Sequence, residues 1–140
     1  MQKKEGIIME LTIDPKVVAL IKKKRMPGDR MYLDFEDGDG PFANTGLSCR
    51  LDLSFRFIIT PESYPATGLA VYNDSVETAV GPVRLKQSSE VYLDAKTRLV
   101  LGATGALQLK GASGILADNI PILRIEQQTA GERKLSGGPC

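Results

Sequence analysis

Histidine is absent from this 140-residue chain, and cysteine occurs only at Cys49 and Cys140. Zinc and most transition-metal sites are built from these two residue types, three or more together, and a single chain cannot supply such a set. Without histidine, no Ser-His-Asp or Cys-His arrangement can form. Acid–base work would fall to carboxylates, lysines and tyrosines, and no spacing points to a Ser–Lys pair, so the protein is not expected to be an enzyme. An excess of one charge is also lacking: 18 basic residues against 17 acidic ones give no field that would gather nucleic acid or an anionic membrane. No apolar run approaches the roughly 20 residues that span a bilayer. Ile7-Ile8-Met9 is too short for a signal-peptide core, and Glu10 and Asp14 follow at once. Two distant cysteines make no disulfide framework, so free thiols in a reducing cytoplasm are expected.

What is present reads as one small, mainly β domain with a core of its own. Residues 9–13 alternate apolar and polar side chains, a short first strand. Asp14-Pro15 then marks a helix start, with Asp placed to accept from the orphan amides and Pro suited to the first turn. Val17, Val18, Leu20 and Ile21 form its apolar stripe, and Pro27-Gly28 closes it. The run from Lys22 to Arg25 is explained by the preference for cations at a helix C-terminus.

Residues 30–36 form a second strand, with Met31, Leu33 and Phe35 on the core face and Asp34 and Glu36 on a solvated face. After the turn residues Asp37–Pro41, period-two alternation runs from Leu47 to Ile59, a long half-buried strand or two strands joined at a bulge. Cys49 lies on its apolar face, and Arg50, Asp52, Arg56 and Ile58 on the other. Further on, residues 69–72 read as a short strand, and 76–80 with 83–86 as a hairpin whose Pro82 suits a sheet edge. Residues 87–94 fit a short helix or a strand. Residues 97–101 and 106–110 form another hairpin, 111–119 read as a turn, and 120–125 as a last strand. Residues 1–8 form an N-terminal extension, 9–126 the domain, and 127–140 a polar, Gly-rich tail expected to be disordered.

The obvious motifs do not carry chemistry. Asp34, Glu36, Asp37 and Asp39 suggest a calcium loop, but neither the glycine at position six nor the glutamate at position twelve is present. Gly38, Gly40 and Gly46 lack the Lys-Ser/Thr ending of a phosphate loop, and Gly102–Gly105 is better read as a hairpin turn.

The phrase Gly81-Pro82-Val83-Arg84-Leu85-Lys86-Gln87-Ser88-Ser89-Glu90-Val91-Tyr92-Leu93-Asp94, continuing through Leu107-Gln108-Leu109-Lys110 to Asn119, resembles the second half of a HesB-like domain. It is most similar to the short Gram-positive members associated with iron–sulfur cluster biosynthesis. The order of elements in the first half fits too, and the resemblance covers about residues 9–125. It implies an α+β fold, mostly β: a flattened barrel of two small, mainly antiparallel sheets with one packed N-terminal helix. It also implies a role as carrier or accessory of iron or an iron–sulfur cluster, held across a homodimer that meets iron–sulfur assembly proteins.

The family's ligands are one cysteine in a glycine-flanked turn after the second strand and a Cys-Gly-Cys near the C-terminus. Here that turn reads Asp37-Gly38-Asp39-Gly40, with Asp39 at the cysteine position, and Ile120-Pro121-Ile122-Leu123-Arg124 stands where the Cys-Gly-Cys would follow. Asp39, Cys49 and Cys140 are therefore the candidate metal ligands. The alternative is a metal-free binding or regulatory module that keeps the fold and offers a hairpin edge such as residues 83–86.

Overall fold

The computed structural model describes residues 9–35 and 55–126. Strand β1 (Glu10–Ile13) buries Leu11 and Ile13 on one side, and helix α1 (Pro15–Lys24) follows directly. Pro15 opens the helix as expected. The capping differs: the Asp14 side chain makes no cap hydrogen bond, and its backbone carbonyl accepts from the Val17 and Val18 amides, both at 2.9 Å. Val17 and Ile21 are fully buried, Val18 and Leu20 sit half-buried against the core, and Lys22, Lys23 and Lys24 occupy the last turn.

Two sheets follow. The first, in the order β1-β6-β7-β8, comprises β6 (Lys96–Leu101), β7 (Leu107–Gly111) and β8 (Gly114–Ile120) beside β1. The second, in the order β4-β5-β2-β3-β9, comprises β2 (Arg30–Phe35), β3 (Phe55–Thr60), β4 (Asp74–Thr78), β5 (Gly81–Leu85) and β9 (Ile122–Arg124). The architecture is α+β and mostly β, as expected, with two open sheets and no closed barrel among the described residues. Antiparallel pairing is less dominant than the resemblance implies, because β1–β6, β2–β5 and β3–β9 are all parallel. Among the described residues no helix is long and apolar enough to cross a membrane.

The main core lies between the sheets. Leu11, Ile13, Leu99, Leu109, Ala117 and Ile120 from one sheet meet Met31, Leu33, Phe55, Phe57, Ile59, Val83 and Leu85 from the other, with Val17 and Ile21 of α1 added. Alternation along β2 and β3 thus assigns the inner face correctly. The outer face departs from expectation. A second cluster of Tyr32, Ile58, Tyr64, Leu69 and Tyr72 covers it, because the chain after β3 turns back across the sheet. Every residue of β3 is therefore buried, and Asp34 and Arg56, expected in solvent, are 1% and 2% exposed.

Other corrections follow from the same packing. Residues 69–71 form a 3-10 helix rather than a strand, and they cap the second cluster with Leu69. Residues 87–92 resolve to a 3-10 helix. The hairpin of β4 and β5 is present, but β5 is flanked by β4 and β2 and is not an edge, so residues 83–85 offer no free edge to a partner. Pro82 is tolerated because β2 pairs only from Val83 onward, which leaves its missing N–H outside the ladder. Residues 114–119, read as part of a turn, belong to β8 (Gly114–Ile120), which also takes Ile120 from the expected last strand. Its pairing to β7 carries two register irregularities, and the turn glycine Gly114 has φ +137°. The last strand is shorter than expected, since Pro121 precedes β9.

Candidate functional site

Asp34 is the centre of a buried polar network on the outer face of the second sheet. Strands β2 and β3 set Asp34 directly opposite Arg56, and the two form an ion pair through Asp34 Oδ2 and an Arg56 guanidinium nitrogen. The Tyr72 hydroxyl donates to Asp34 Oδ1 at 2.7 Å. Lys86, at the end of β5, brings Nζ to 3.6 Å from the same oxygen, donates to the Phe35 carbonyl at 3.1 Å, and lies 5.8 Å from the Tyr72 ring centre. Burial, and then the Asp34 charge and hydrogen bond, push the Tyr72 phenol far above the usual tyrosine range. That hydroxyl is held as a donor and not as an acid. Tyr64, nearby in the second cluster, is also raised, first by desolvation and then by Tyr32.

This network closes the base of the segment that carries two of the candidate ligands. β2 ends at Phe35 and β3 begins at Phe55, a cross-strand pair whose rings lie 5.0 Å apart. Tyr92 stacks on Phe35 from the other side at 4.6 Å. Residues 36–54, including Asp39 and Cys49, connect these two strand ends in the sequence. Asp39, Cys49 and Cys140 themselves lie outside the described residues, as do the two terminal segments. Among the described residues no group of three or more Asp, Glu, Cys or His could hold a metal ion. The carboxylates of Asp34 and Asp29 are committed to guanidinium groups. A carboxylate is a hard ligand suited to other cations better than to cluster iron.

A second ion pair lies at the opposite end of β2. Asp29 pairs with Arg124 of β9 and accepts from the Met26 amide at 2.7 Å, which ties the turn after α1 to the last strand. Desolvation would raise the Asp29 pKa, but the Arg124 hydrogen bond, the Met26 amide and the charges of Arg124 and Arg25 outweigh it and hold it below the usual value. Arg124 also bonds Glu126 at 2.7 Å.

Sequence reasoning missed Arg56, Lys86, Tyr72 and Arg124, and placed Asp34 in water. One available sign was the pair Tyr32 and Ile58, large apolar residues on the face taken to be solvated. No comparable sign marks Lys86.

The scan against family models matches residues 9–124 to the family described as iron-sulphur cluster biosynthesis. No curated protein matches the chain. Among solved structures, a candidate Fe-S biosynthesis protein from Lactobacillus salivarius superposes with a TM-score of 0.72 at 21% identity, over 84% of this chain and 99% of that one. Another from Lactobacillus acidophilus gives 0.61 at 14% identity, over 83% and 90%. At these identities the likeness concerns the fold. The family match spans most of the chain and ends in the strand that closes the second sheet: the protein belongs to the iron–sulfur cluster biosynthesis family.

Proposed function

We propose that the protein serves iron–sulfur cluster biogenesis as a cytoplasmic carrier or accessory of iron or a cluster, and not as an enzyme. The observation that carries this reading is the clamped base of residues 36–54. A buried ion pair and an aromatic pair fix the two ends of the segment bearing Asp39 and Cys49. A carrier needs ligands held on a defined support, and the two strand ends from which this segment departs provide one. Two cysteines per chain become four in a homodimer, the number that terminates one cluster. In this reading Cys49 and Cys140 supply thiolates, Asp39 an oxygen ligand, and assembly proteins of the same pathway are the partners.

Anaerobic reconstitution with ferrous iron and sulfide tests it. A brown dimer with thiolate-to-iron absorption, lost in Cys49→Ser, is the expected result. A colourless monomer with no bound iron overturns it.

A second reading has one specific observation in its favour. The stretch that stands in place of the family's Cys-Gly-Cys includes β9, whose Ile122 packs against the core and pairs with Phe57. A metal-free binding module is consistent with a strand there. It requires that Cys49→Ser and Cys140→Ser keep every partner recovered by affinity capture with the wild type, and loss of a partner in either variant counts against it.

A further inference from the structure

A cleft of about 410 Å³ opens at the N-terminal ends of β2 and β5, about 13 Å along β2 from Asp34 by strand rise. Its walls carry Arg25, Arg30 and Arg84, with Asp29, Ser75 and Pro82 between them. The sheet brings these residues together. Tyr32 pairs with Arg84 across the parallel β2–β5 ladder, so Arg30, two residues earlier, emerges on the same face. Ser75 of β4 stands directly opposite Arg84 on the other side. Arg25 reaches in from the end of α1, where one guanidinium nitrogen donates to the Val80 carbonyl at 2.9 Å. Its Nε is buried and has no hydrogen-bond partner among the described residues.

Charge makes the arrangement informative. Three guanidinium groups line one concavity, and none of them forms an ion pair among the described residues. The one carboxylate in the wall, Asp29, is already taken by Arg124 and the Met26 amide. Like charges gathered in a recess repel one another and raise the local anion concentration. Arginine presents a planar fork matched to the paired oxygens of phosphate and carboxylate, and a cavity of this size lies within the range of small-molecule sites.

We infer that this cleft binds a small ligand bearing a multiply charged oxyanion, phosphoryl or polycarboxylate, held by Arg30 and Arg84 with Arg25 behind them and Ser75 as a neutral donor. None of the residues that line the cleft is a candidate metal ligand, and they gather at the end of β2 opposite Phe35.

Isothermal titration calorimetry on the full chain tests it, with pyrophosphate and citrate titrated separately at a fixed ionic strength of about 0.15 M. Saturable one-site binding of either compound is expected, and which of the two binds tells phosphoryl from carboxylate recognition. Arg84→Gln and Arg30→Gln should each weaken it about tenfold or more, without lowering the melting temperature of the free protein. Arg84 is exposed, so its variant carries the test if Arg30→Gln folds poorly. Cys49→Ser should bind the anion as the wild type does, which keeps this result apart from the outcome of cluster reconstitution. Absence of saturable heat with both compounds, or unchanged affinity in Arg84→Gln, overturns the inference.

Discussion

Replacing Asp34 by asparagine keeps the size of the side chain and an acceptor for the Tyr72 hydroxyl, and removes only the charge. In the native fold that charge lies between Arg56 and Lys86, and all three groups are almost wholly withdrawn from water. Deleting one member of a buried ionic set costs roughly 3–5 kcal/mol, because the remaining charges keep their desolvation penalty and lose the attraction that offset it. A domain of this kind has roughly 5–15 kcal/mol of total stability, so the variant should survive with a large part of its margin gone. With a urea dependence of about 2 kcal/mol per molar, the midpoint of unfolding should fall by about 1.5–2.5 M, with the slope unchanged.

A double-mutant cycle separates this account from simple loss of packing. Arg56→Met alone should also be strongly destabilising, since it leaves Asp34 with Lys86 as its only remaining cation among the contacts described. The combination of Asp34→Asn with Arg56→Met should be less harmful than the sum by about 2 kcal/mol or more, because the pair acts as a unit. Equilibrium urea unfolding followed by far-ultraviolet circular dichroism reads all four corners. An Asp34→Asn loss below about 1 kcal/mol, or additivity within about 0.5 kcal/mol, would refute the reasoning and reduce the network to an incidental contact.

Asp29 contributes to the acid response. Its folded pKa lies below the ordinary carboxylate value, so its contribution is complete above that value and disappears as pH falls through the lower folded one. Asp29→Asn should therefore lower the melting temperature at neutral pH and flatten its decline in acid, and an unchanged acid slope counts against this. Tyr72 acts at the other extreme. Its raised pKa keeps the folded state protonated, so stability should fall as pH climbs past about 10, and Tyr72 should ionise only as the protein unfolds. Absorbance at 295 nm in wild type and Tyr72→Phe checks this; a reversible phenolate signal missing from the variant while circular dichroism stays native would contradict it. Gly111 sits where any Cβ would overlap Asp94 Oδ2, which accepts from the Ala112 amide at 2.8 Å. Gly111→Ala should cost about 1–3 kcal/mol by thermal or urea unfolding, and the cost should shrink in an Asp94→Ala background. A neutral Gly111→Ala would show that this hairpin yields easily.

The elements that could be read from sequence are those whose signals are local. Asp14-Pro15 announces α1, and alternation from Thr97 to Lys110 gives the β6–β7 hairpin with its Gly102–Gly105 turn. The inner faces of β2 and β3 follow from period two alone. The failures share a non-local cause. Asp34 and Arg56 look like solvent-facing members of an amphipathic strand, and only the return of residues 61–72 across the sheet buries them. That return is fixed by Tyr64, Leu69 and Tyr72 packing on Tyr32 and Ile58, contacts between residues far apart in the chain. β8 is a further case. Its Gly-, Ala-, Asp- and Asn-containing sequence has weak strand preference, and pairing with β7 overrides it.

The same distinction bears on the candidate site. Residues that fill an apolar cluster are constrained mainly by volume and patterning, and structures at 14% and 21% identity superpose over most of the chain. Ligands obey a stricter rule, because exchanging a thiolate for a carboxylate changes which metals can be held. In the proposed reading, Asp39 and the replacement of the Cys-Gly-Cys alter that set, whereas Asp34 at the end of β2 is engaged by Arg56, Tyr72 and Lys86 in the fold itself. The support and the ligands are therefore separable. If reconstitution shows iron on this chain, its coordination should carry the mark of an oxygen ligand from Asp39, and Asp39→Cys should shift the absorption spectrum toward all-thiolate ligation while leaving the urea midpoint of the apoprotein in place.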